Sequence, residues 1–542
     1  MINGEELKSA SLKRVHYDAV PSATNSLSIS SSSSSSSSGS SSSSSSGSSN
    51  DNDNDDDDNT THHSHKKEPL GVTRATYIYA LCASVNSCNL GYDVGVNTQA
   101  GPLLKDAMDL TVGQLEFFLG SLNLFAMVGA LSAHVISDRY GRRASFITAA
   151  VCFIVGVLIV VMAQSFTTLM MGRVFVGLGV GFGLAIDSLY ISEISPAANR
   201  GRLVTWCEIG TNVGVLLGFG SGCFFRGIDE NLEWRYMIAL GTVLPLVMIV
   251  LATYVMPESP RWLVAKGRTD EARNVLQKTH PAAFNVGPVL REMQDTLDKE
   301  QGSGNAMGWS MILCPTPAFR RMLLVGLGAA IAQQAVGIDA IQYFMLFIIE
   351  ESGVKSGATQ TTLLVGLGIV KLVFAWVGGQ LFDQKGRRNL LFLSLSGMMV
   401  SLMILAINFA RSDPTPAWAI LGLALYLATF SIGMGPGCWL VPSEVFATCI
   451  RAKAMSMATF LNRVFATFMA SSVLSIADAI TWTGFFLMLC TACFLSLVFF
   501  FFLLPETKGR SLEDMSLYFA EITGDRSILD AKEKRRSNMP TG

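Results

Sequence analysis

At least six ionisable side chains lie inside long apolar stretches of this sequence, and they are its strongest candidates for chemistry. They are Asp93, Arg173, Glu208, Asp339, Lys371 and Arg463. An ionisable group at membrane depth costs roughly 3 kcal/mol on insertion scales, so each one is a functional hypothesis by default. Because three are acids and three are bases, they can pair inside a helical bundle. Groups of this kind can bind a proton or hydrogen-bond a polar solute.

The elements that position these side chains are predicted to be membrane-spanning helices. Hydrophobic residues make up 50% of the 542 residues and charged residues only 15%, against roughly 25% charged in soluble domains. Twelve stretches reach the length of about 20 residues that crosses a bilayer. They are 75–99, 112–137, 144–167, 166–191, 203–225, 236–256, 322–349, 361–382, 389–410, 416–442, 454–477 and 481–504. The sequence therefore predicts an all-α membrane protein with twelve transmembrane helices.

Lysine and arginine collect in alternate connections between these stretches. The clusters lie at 138–143, 200–202, 383–388 and 451–453, and the long polar segment after Met256 follows the same alternation. Short loops rich in Lys and Arg stay on the cytosolic side of a membrane. This distribution predicts that both termini are cytosolic.

A cationic turn occurs twice, as DRYGRR at 138–143 and as DQKGRR at 383–388. Other markers repeat in register with it, including Glu193 with Glu444. A repeat of about 250 residues predicts two similarly folded six-helix halves, related by an axis along the membrane normal. Rocking of such halves gives alternating access to a site near the midplane. The repeat therefore predicts a carrier rather than a pore.

Composition divides the chain into five predicted segments. They are a disordered cytosolic tail rich in Ser and Asp (1–72), an N-terminal half (73–258), a cytosolic linker with short helices (259–318), a C-terminal half (319–508) and a cytosolic C-terminal tail (509–542). No nucleophile and base pair, phosphate-cradling loop or metal cluster with catalytic spacing occurs in the sequence. We therefore expect no enzyme, cofactor or metal. We expect no nucleic-acid partner either, since the basic residues serve membrane topology.

Seven motifs, in order, resemble those of the sugar porter family of the major facilitator superfamily over about residues 73–515. They are DRxGRR (138–143), GRxxxG (172–177), YISEISP (190–196), PESPRWL (257–263), QQxxGID (333–339), GPxxW (435–439) and PETKG (505–509). A finer set is similar to the plant polyol transporters, namely Glu208 with Asn212, Asp339, Lys371 and the pair Asn462-Arg463. The resemblance implies the major facilitator fold and transport of a sugar or polyol.

The resemblance also implies a proton-coupling role for Asp93, which stands where proton-coupled members of the family carry an acid. Arg173 of the fourth helix is its implied partner. Burial favours the neutral form of a carboxyl and a facing guanidinium favours the charged form, so a change in their separation loads or releases a proton. The alternative is a static buried pair that only fixes helix register.

Eight further residues occupy family positions that converge on the central cavity. They are Glu208, Asn212, Gln333, Gln334, Asp339, Tyr343, Trp439 and Asn462. Each substrate hydroxyl stripped of water must find a partner, and a carboxylate accepts two hydroxyl hydrogens at once. Glu208 and Asp339 therefore favour a polyol, or a range of sugars, over glucose alone. Alternatively, Gln333 and Gln334 only join helices and Trp439 only packs.

Eight charged residues around the cationic turns are predicted to form a cytosolic network that latches the two halves in the outward-open state. They are Asp138, Arg142, Glu193, Arg200, Asp383, Arg387, Glu444 and Arg451. In the alternative interpretation they are only positive-inside anchors. Asp187 has two interpretations, a second titrating group or a cap near the cytosolic end of the fourth helix, and the cap is favoured. The roles of Lys371 and Arg463 stay open.

Together these patterns predict a monomeric proton symporter of monosaccharides or polyols, with the plasma membrane as its expected location. Within the transporter class, the alternative is a facilitative hexose uniporter, against which the acid at Asp93 argues. Outside that class, the alternative is a sugar sensor that does not transport.

Overall fold

The computed structural model describes residues 72–196, 199–225, 228–281, 284–302, 312, 314–447, 450–508 and 512–525. The tail predicted at 1–72 lies outside the described residues except for its last position. The described part of the predicted C-terminal tail contains a helix, Leu512–Thr523. The five segment boundaries therefore stay predictions.

Within the described residues the secondary structure is helical, with no strand. The α-helices are α1 (Arg74–Ala107), α2 (Val112–Tyr140), α3 (Arg142–Val161), α4 (Phe166–Ile194), α5 (Arg200–Phe225), α6 (Glu230–Leu240), α7 (Val243–Tyr254), α8 (Pro260–Ala265), α9 (Thr269–Thr279), α10 (Gly287–Gly302), α11 (Pro317–Ala335), α12 (Ile338–Tyr343), α13 (Met345–Glu351), α14 (Gly357–Lys385), α15 (Arg387–Phe409), α16 (Pro416–Thr429), α17 (Gly435–Val445), α18 (Arg451–Ala470), α19 (Val473–Leu503) and α20 (Leu512–Thr523). A π-helical turn, Phe430–Met434, joins α16 to α17.

In the part of the chain that the structure describes, ten helical segments are long and apolar enough to cross a membrane. The all-α membrane class predicted from the sequence is confirmed. The other two predicted crossings fall on α1 (75–99) and on α18 with the first turn of α19 (454–477). These helices are less apolar because α1 carries Asp93 among several amides and α18 carries Arg463. The count of twelve crossings stays a prediction.

Both cationic turns are built in the same way. α2 is followed by Gly141 with φ 98° and α14 by Gly386 with φ 88°, a region of backbone angles that favours glycine. Glu258 then accepts the backbone N–H of Arg142 at 2.7 Å. In the other half, Glu506 accepts the N–H of Arg387 at 3.1 Å. The sequence repeat is therefore a repeat of backbone geometry as well.

Three interruptions break the long helices of the C-terminal half. Gly337, with φ 89°, separates α11 from α12, and the π-helical turn interrupts the crossing predicted at 416–442. Thr481, with φ 66°, breaks α19, at the position where the sequence predicts a new crossing. Discontinuous helices expose backbone carbonyls in the interior of transporters. The first two lie close together, since Gln333, one turn before Gly337, donates to the carbonyl of Gly435, the residue after the π-helical turn.

The helices pack within each half and also across the seam. In the N-terminal half, α1 packs on α5, and both α2 and α3 pack on α4. In the C-terminal half, α11 packs on α17 and α18, and α15 packs on α16 and α19. The seam is formed where α2 meets α18, α5 meets α14 and α1 meets α12.

The two halves are hydrogen-bonded at one end of the bundle. We call the end that carries Arg142 and Arg387 the basic end; α2 runs from the opposite end toward it. Near the start of α2, the Glu116 carboxylate accepts the backbone N–H of Ser475 at 2.9 Å and also its hydroxyl. The Thr98 hydroxyl donates to the Gln342 carbonyl at 2.9 Å. These contacts close the seam at the end opposite the basic end.

The linker helices lie against the start of α1. The Thr73 hydroxyl donates to the Lys278 carbonyl and the Thr76 hydroxyl to the Thr279 carbonyl, both at 2.9 Å. His280 is buried, and its ring stacks on Phe284 with 5.0 Å between centroids. The hydrogen bonds of Thr73 and Thr76 join α9 to the start of α1, so the linker is attached to the N-terminal half.

Candidate functional site

Asp93 and Arg173 form an ion pair in the interior of the N-terminal half. Nη1 of Arg173 lies 2.9 Å from both carboxylate oxygens of Asp93. Both side chains are buried, with 2% of Arg173 and 6% of Asp93 exposed. The guanidinium also donates from Nε to the Phe118 carbonyl at 3.3 Å and lies over the Phe118 ring, 4.1 Å from its centroid. The pair joins α1 to α4, and Phe118 of α2 holds the guanidinium in place.

A group of amides lies where α11 breaks. Asn462 of α18 donates from Nδ2 to Oε1 of Gln333 at 2.8 Å and to the Ala330 carbonyl at 2.8 Å. Gln333 donates in turn from Nε2 to the Gly435 carbonyl at 3.2 Å, just after the π-helical turn. This chain of bonds connects α11, α17 and α18. Two of the predicted substrate residues thus contact each other directly.

Asn123 of α2 connects the two halves at the centre of the bundle. Its Nδ2 donates to Oδ2 of Asp339 at 3.2 Å, and its Oδ1 accepts from Nη1 of Arg463 at 2.8 Å. Arg463 also donates from Nη2 to Oδ1 of Asn462 at 2.6 Å. Sequence reasoning missed Asn123, because it took neutral amides only from positions that match the motifs of the family, and Asn123 lies outside those motifs. An amide in the apolar crossing 112–137 is the signal that could have found it.

Glu208 and Asn212 lie on α5, four residues apart and in contact. Asn212 donates from Nδ2 to the Glu208 carbonyl at 2.9 Å and to its Oε1 at 3.4 Å. Facing them across the seam is α14, on which Lys371 is buried and donates from Nζ to Oε1 of Gln342 at 2.7 Å. Lys371 therefore adds an amino group to the interior, on the helix that faces Glu208.

The remaining predicted substrate residues lie on α11, α12 and α17. Gln334 and Tyr343 are buried, whereas Trp439 is half-buried. Oε1 of Gln334, Oη of Tyr343 and Oδ1 of Asn212 have no hydrogen-bond partner among the described residues. A buried polar atom without a partner costs about 1–3 kcal/mol. These atoms are therefore well suited to meet hydroxyl groups.

The charged residues near the cationic turns pair within each half. Arg142 of α3 makes two bonds to Glu193 of α4, at 2.9 and 2.8 Å, and one to Asp138 at 3.4 Å. Arg387 of α15 binds Glu444 of α17 at 2.9 Å.

Arg451 donates from Nε to the Phe446 carbonyl at 3.4 Å. The side chains of Arg200 and Asp383 lie outside the described residues. The described ion pairs of this group do not cross the seam, so a latch between the halves stays a prediction.

Asp187 does not cap its helix. α4 continues to Ile194, and the carboxyl of Asp187 is buried against α1, where it meets Asn86 and Ser87. The favoured interpretation as a cap is therefore wrong. Helical periodicity turns this position toward α1, whereas distance along the chain from the motif at 190–196 suggested the helix end.

This bundle of membrane-spanning helices, built as two repeated halves with polar groups at its seam, has the form of a secondary transporter. Residues 79–519 match the family described as Sugar (and other) transporter, so the chain belongs to that family. It is 39% identical over 443 residues to "Probable polyol transporter 4" of Arabidopsis thaliana, covering 81% of this chain and 84% of that protein.

Two solved structures of a bacterial carrier share the fold. The proton:xylose symporter XylE of the major facilitator superfamily, bound to 6-bromo-6-deoxy-D-glucose, aligns with a TM-score of 0.69 at 24% identity, over 82% of this chain and 99% of that one. The inward-open conformation of XylE from E. coli aligns with a TM-score of 0.68 at 25% identity, over 81% and 98% of the two chains. The major facilitator fold implied by the motifs is confirmed.

Proposed function

We propose that this protein carries monosaccharides or polyols across a membrane together with protons, by alternating access. The observation that carries the proposal is the buried pair of Asp93 and Arg173. A guanidinium cannot lose its proton in a protein, so only the carboxyl can change its charge. When the two groups separate, the carboxyl is left buried without a cation and binds a proton. When they meet, the proton is released.

The polar residues of the seam support a cargo with many hydroxyls. Gln333, Asn462 and Asn123 supply amides, while Glu208 and Asp339 supply carboxylates that accept two hydroxyl hydrogens each. The resemblance to a probable polyol transporter and to a proton:xylose symporter supports the same class of cargo. Because Asn123, Asp339 and Arg463 bond across the seam, a cargo that replaces these bonds couples its own binding to movement of the halves.

Closure of the seam at the end opposite the basic end supports an inward-open state, with the basic end facing the cytosol. In this state the ion pairs of Arg142 and Arg387 lie within their halves. A latch across the seam would form only when the basic end closes, in the outward-open state. We further infer a plasma-membrane location, cytosolic termini and function as a monomer. The role of the protein is transport, not catalysis.

The test is uptake in cells that lack their own sugar and polyol carriers. We expect the wild-type protein to accumulate labelled polyol or monosaccharide, and a protonophore to abolish the accumulation. Asp93→Asn is expected to lose accumulation but to keep exchange of internal for external cargo. Asp478→Asn, which changes an exposed carboxyl on α19, is the matched control and should behave as wild type. Accumulation by Asp93→Asn with unchanged dependence on external pH would refute the coupling role.

A further inference from the structure

Asp187 is a buried carboxyl that the transport mechanism above does not use. It lies on α4 with 4% of its surface exposed. Its Oδ1 accepts from Nδ2 of Asn86 at 2.8 Å, and its Oδ2 lies 2.5 Å from the hydroxyl of Ser87. Both partners are neutral. A carboxylate buried among neutral groups is costly unless it is paired with a cation or protonated.

Among the described residues, no basic side chain lines the cavity at Asp187 or bonds to its carboxyl. Asp187 lies beside a cavity whose described walls come from α1, α3 and α4, and α3 contributes Ala149 and Phe153 there. The thiols of Cys88 on α1 and Cys207 on α5 lie within electrostatic reach of Asp187. A thiol is neutral at physiological pH unless a neighbour activates it. The described residues around Asp187 therefore include one carboxylic acid and no basic side chain.

The backbone of α4 is shaped to admit this arrangement. A Cβ on Gly183 would lie 2.4 Å from Nδ2 of Asn86. Gly183 lies one helical turn before Asp187, on the same face of α4. Only the lack of a side chain at 183 lets Asn86 reach the carboxyl. The contact between Asn86 and Asp187 is therefore built into the packing of α1 on α4.

The cavity beside Asp187 has room for one small ligand. Its volume is about 10 Å³, close to the roughly 10–15 Å³ that one water molecule needs. Asn89 also lines it, and Oδ1 of Asn89 is buried with no hydrogen-bond partner among the described residues. Nδ2 of Asn89 donates to Oδ1 of Asn86 at 3.3 Å. A water molecule here can donate one hydrogen to Asn89 and the other to Asp187.

The same polar face of α1 leads to Asp93. Asn86, Asn89 and Asp93 are spaced three and four residues apart, so they lie on one face of the helix. Asn86 is about two turns, roughly 10 Å, closer to the basic end than Asp93. The face therefore connects the coupling carboxyl to Asp187 in the direction of the basic end.

We propose that Asp187 is a second proton-binding site, which receives the proton released by Asp93 through ordered water and passes it toward the basic end. As Arg173 pairs with Asp93, the O–H bond of the Asp93 carboxyl breaks and a new O–H bond forms on a carboxyl oxygen of Asp187. Asp187 becomes neutral until its proton leaves for cytosolic water. The relay role rests on the proposed function, but the binding of a proton at Asp187 does not.

A proton fits this site better than a metal cation does. Asn86 directs its amino group at the carboxylate and uses its own oxygen to accept from Asn89. That arrangement leaves few oxygen atoms for a metal ion, whereas hard cations take six or more oxygen ligands. A sodium ion is the alternative occupant, and the experiment distinguishes it from a proton.

Infrared titration of the purified full-length protein in lipid tests the proton site directly. A protonated buried carboxyl has a C=O stretching band separate from that of carboxylates. We expect one such band to be present in wild type and in Asp93→Asn, and to be lost in Asp187→Asn. Ser87→Ala keeps the carboxyl but removes one bond to it, so the band should shift and remain. This readout needs no transported substrate, and it can succeed even if the proposed cargo is wrong.

Three results would overturn the assignment. The first is a spectrum of Asp187→Asn identical to that of wild type across the titration. The second is loss of the Asp187 band when sodium replaces choline at constant pH, which would show a metal-cation site. The third concerns the relay. We expect Asp187→Asn to keep exchange, and we expect its net proton-coupled uptake to lose the dependence on cytosolic pH. If that dependence is unchanged, Asp187 relays nothing.

Discussion

The two halves of this bundle each bury an arginine near the centre, but they surround it differently. In the N-terminal half, Arg173 faces the carboxylate of Asp93 on both oxygens. In the C-terminal half, Arg463 faces the amide oxygens of Asn123 and Asn462 at 2.8 and 2.6 Å. The partners are charged in one half and neutral in the other.

The difference separates two tasks. A carboxyl facing a guanidinium can change its charge with the position of the two groups, which suits coupling to protons. Amides stay neutral as the pH changes, but they both donate and accept hydrogen bonds, which suits a cargo that carries many hydroxyl groups. We infer that the N-terminal half carries the ion chemistry and that the C-terminal half carries most of the cargo recognition.

Removal of a partner should therefore cost more for Arg173, whose partner is charged, than for Arg463, whose partners are neutral. Asp93→Ala leaves a buried guanidinium that cannot deprotonate, and we expect a loss of about 3–5 kcal/mol of stability. The double variant Asp93→Ala/Arg173→Met should recover most of it. Asn123→Ala leaves Arg463 its bonds to Asn462, so we expect only about 1 kcal/mol. Thermal unfolding of the purified variants measures all three, and equal losses for Asp93→Ala and Asn123→Ala would remove the contrast.

The ion pairs at the basic end extend the comparison. The side chains of Arg142 and Glu193 are 10% and 5% exposed, whereas those of Arg387 and Glu444 are 13% and 24% exposed. Since water screens the second pair more, Arg142→Gln should destabilise by about 3 kcal/mol and Arg387→Gln by about half as much. Unfolding in detergent checks the order. If the latch prediction holds, Arg142→Gln should also lower accessibility to labels added from outside.

Glu208→Gln tests this division of tasks, because Glu208 belongs to the N-terminal half and is nevertheless predicted to bind cargo. Loss of its charge should shift the ratio of polyol to hexose uptake on the order of 10-fold, the equivalent of one charge-assisted hydrogen bond. Competition uptake with both cargoes measures the ratio, and Asp478→Asn is the control. Equal loss of both activities would place specificity elsewhere.

The smallest expected effect concerns the linker that is fastened to the N-terminal half. Burial lowers the pKa of His280 below its ordinary value of 6.5, and the bond to the Leu276 carbonyl opposes that change only in part. Neutral His280 therefore stabilises the linker fully above pH 6.5, and this contribution is lost as the pH falls through the lowered folded-state pKa.

Hydrogen–deuterium exchange of α9 and the start of α1 should show weaker protection on the acidic side of this range. His280→Gln at each pH is the control, since it removes the titration but keeps a polar side chain. Equal pH dependence in both proteins would show that His280 is not responsible.

Several features could be predicted from the residues alone, because their signals are local. Apolar stretches long enough to cross a bilayer indicated the membrane class, and the two cationic turns indicated the repeat. Asp93 and Arg173 stood out as charges in such stretches. The break at Gly337 and the π-helical turn at 430–434 could not be predicted in the same way, since their backbone geometry depends on the packing of neighbouring helices.

Hydropathy and charge therefore determined that the chain lies in a membrane, that it contains a repeat and which ionisable residues are candidates for function. Each of these depends on composition within one or two helices. Which side chains meet was decided by tertiary packing. Asp187 meets Asn86 across 101 positions, and Asn123 meets Arg463 across 340. Such contacts depend on how each helix is rotated about its axis and where helices cross. A single residue of rotational difference turns a side chain by about 100°, from one neighbour to another.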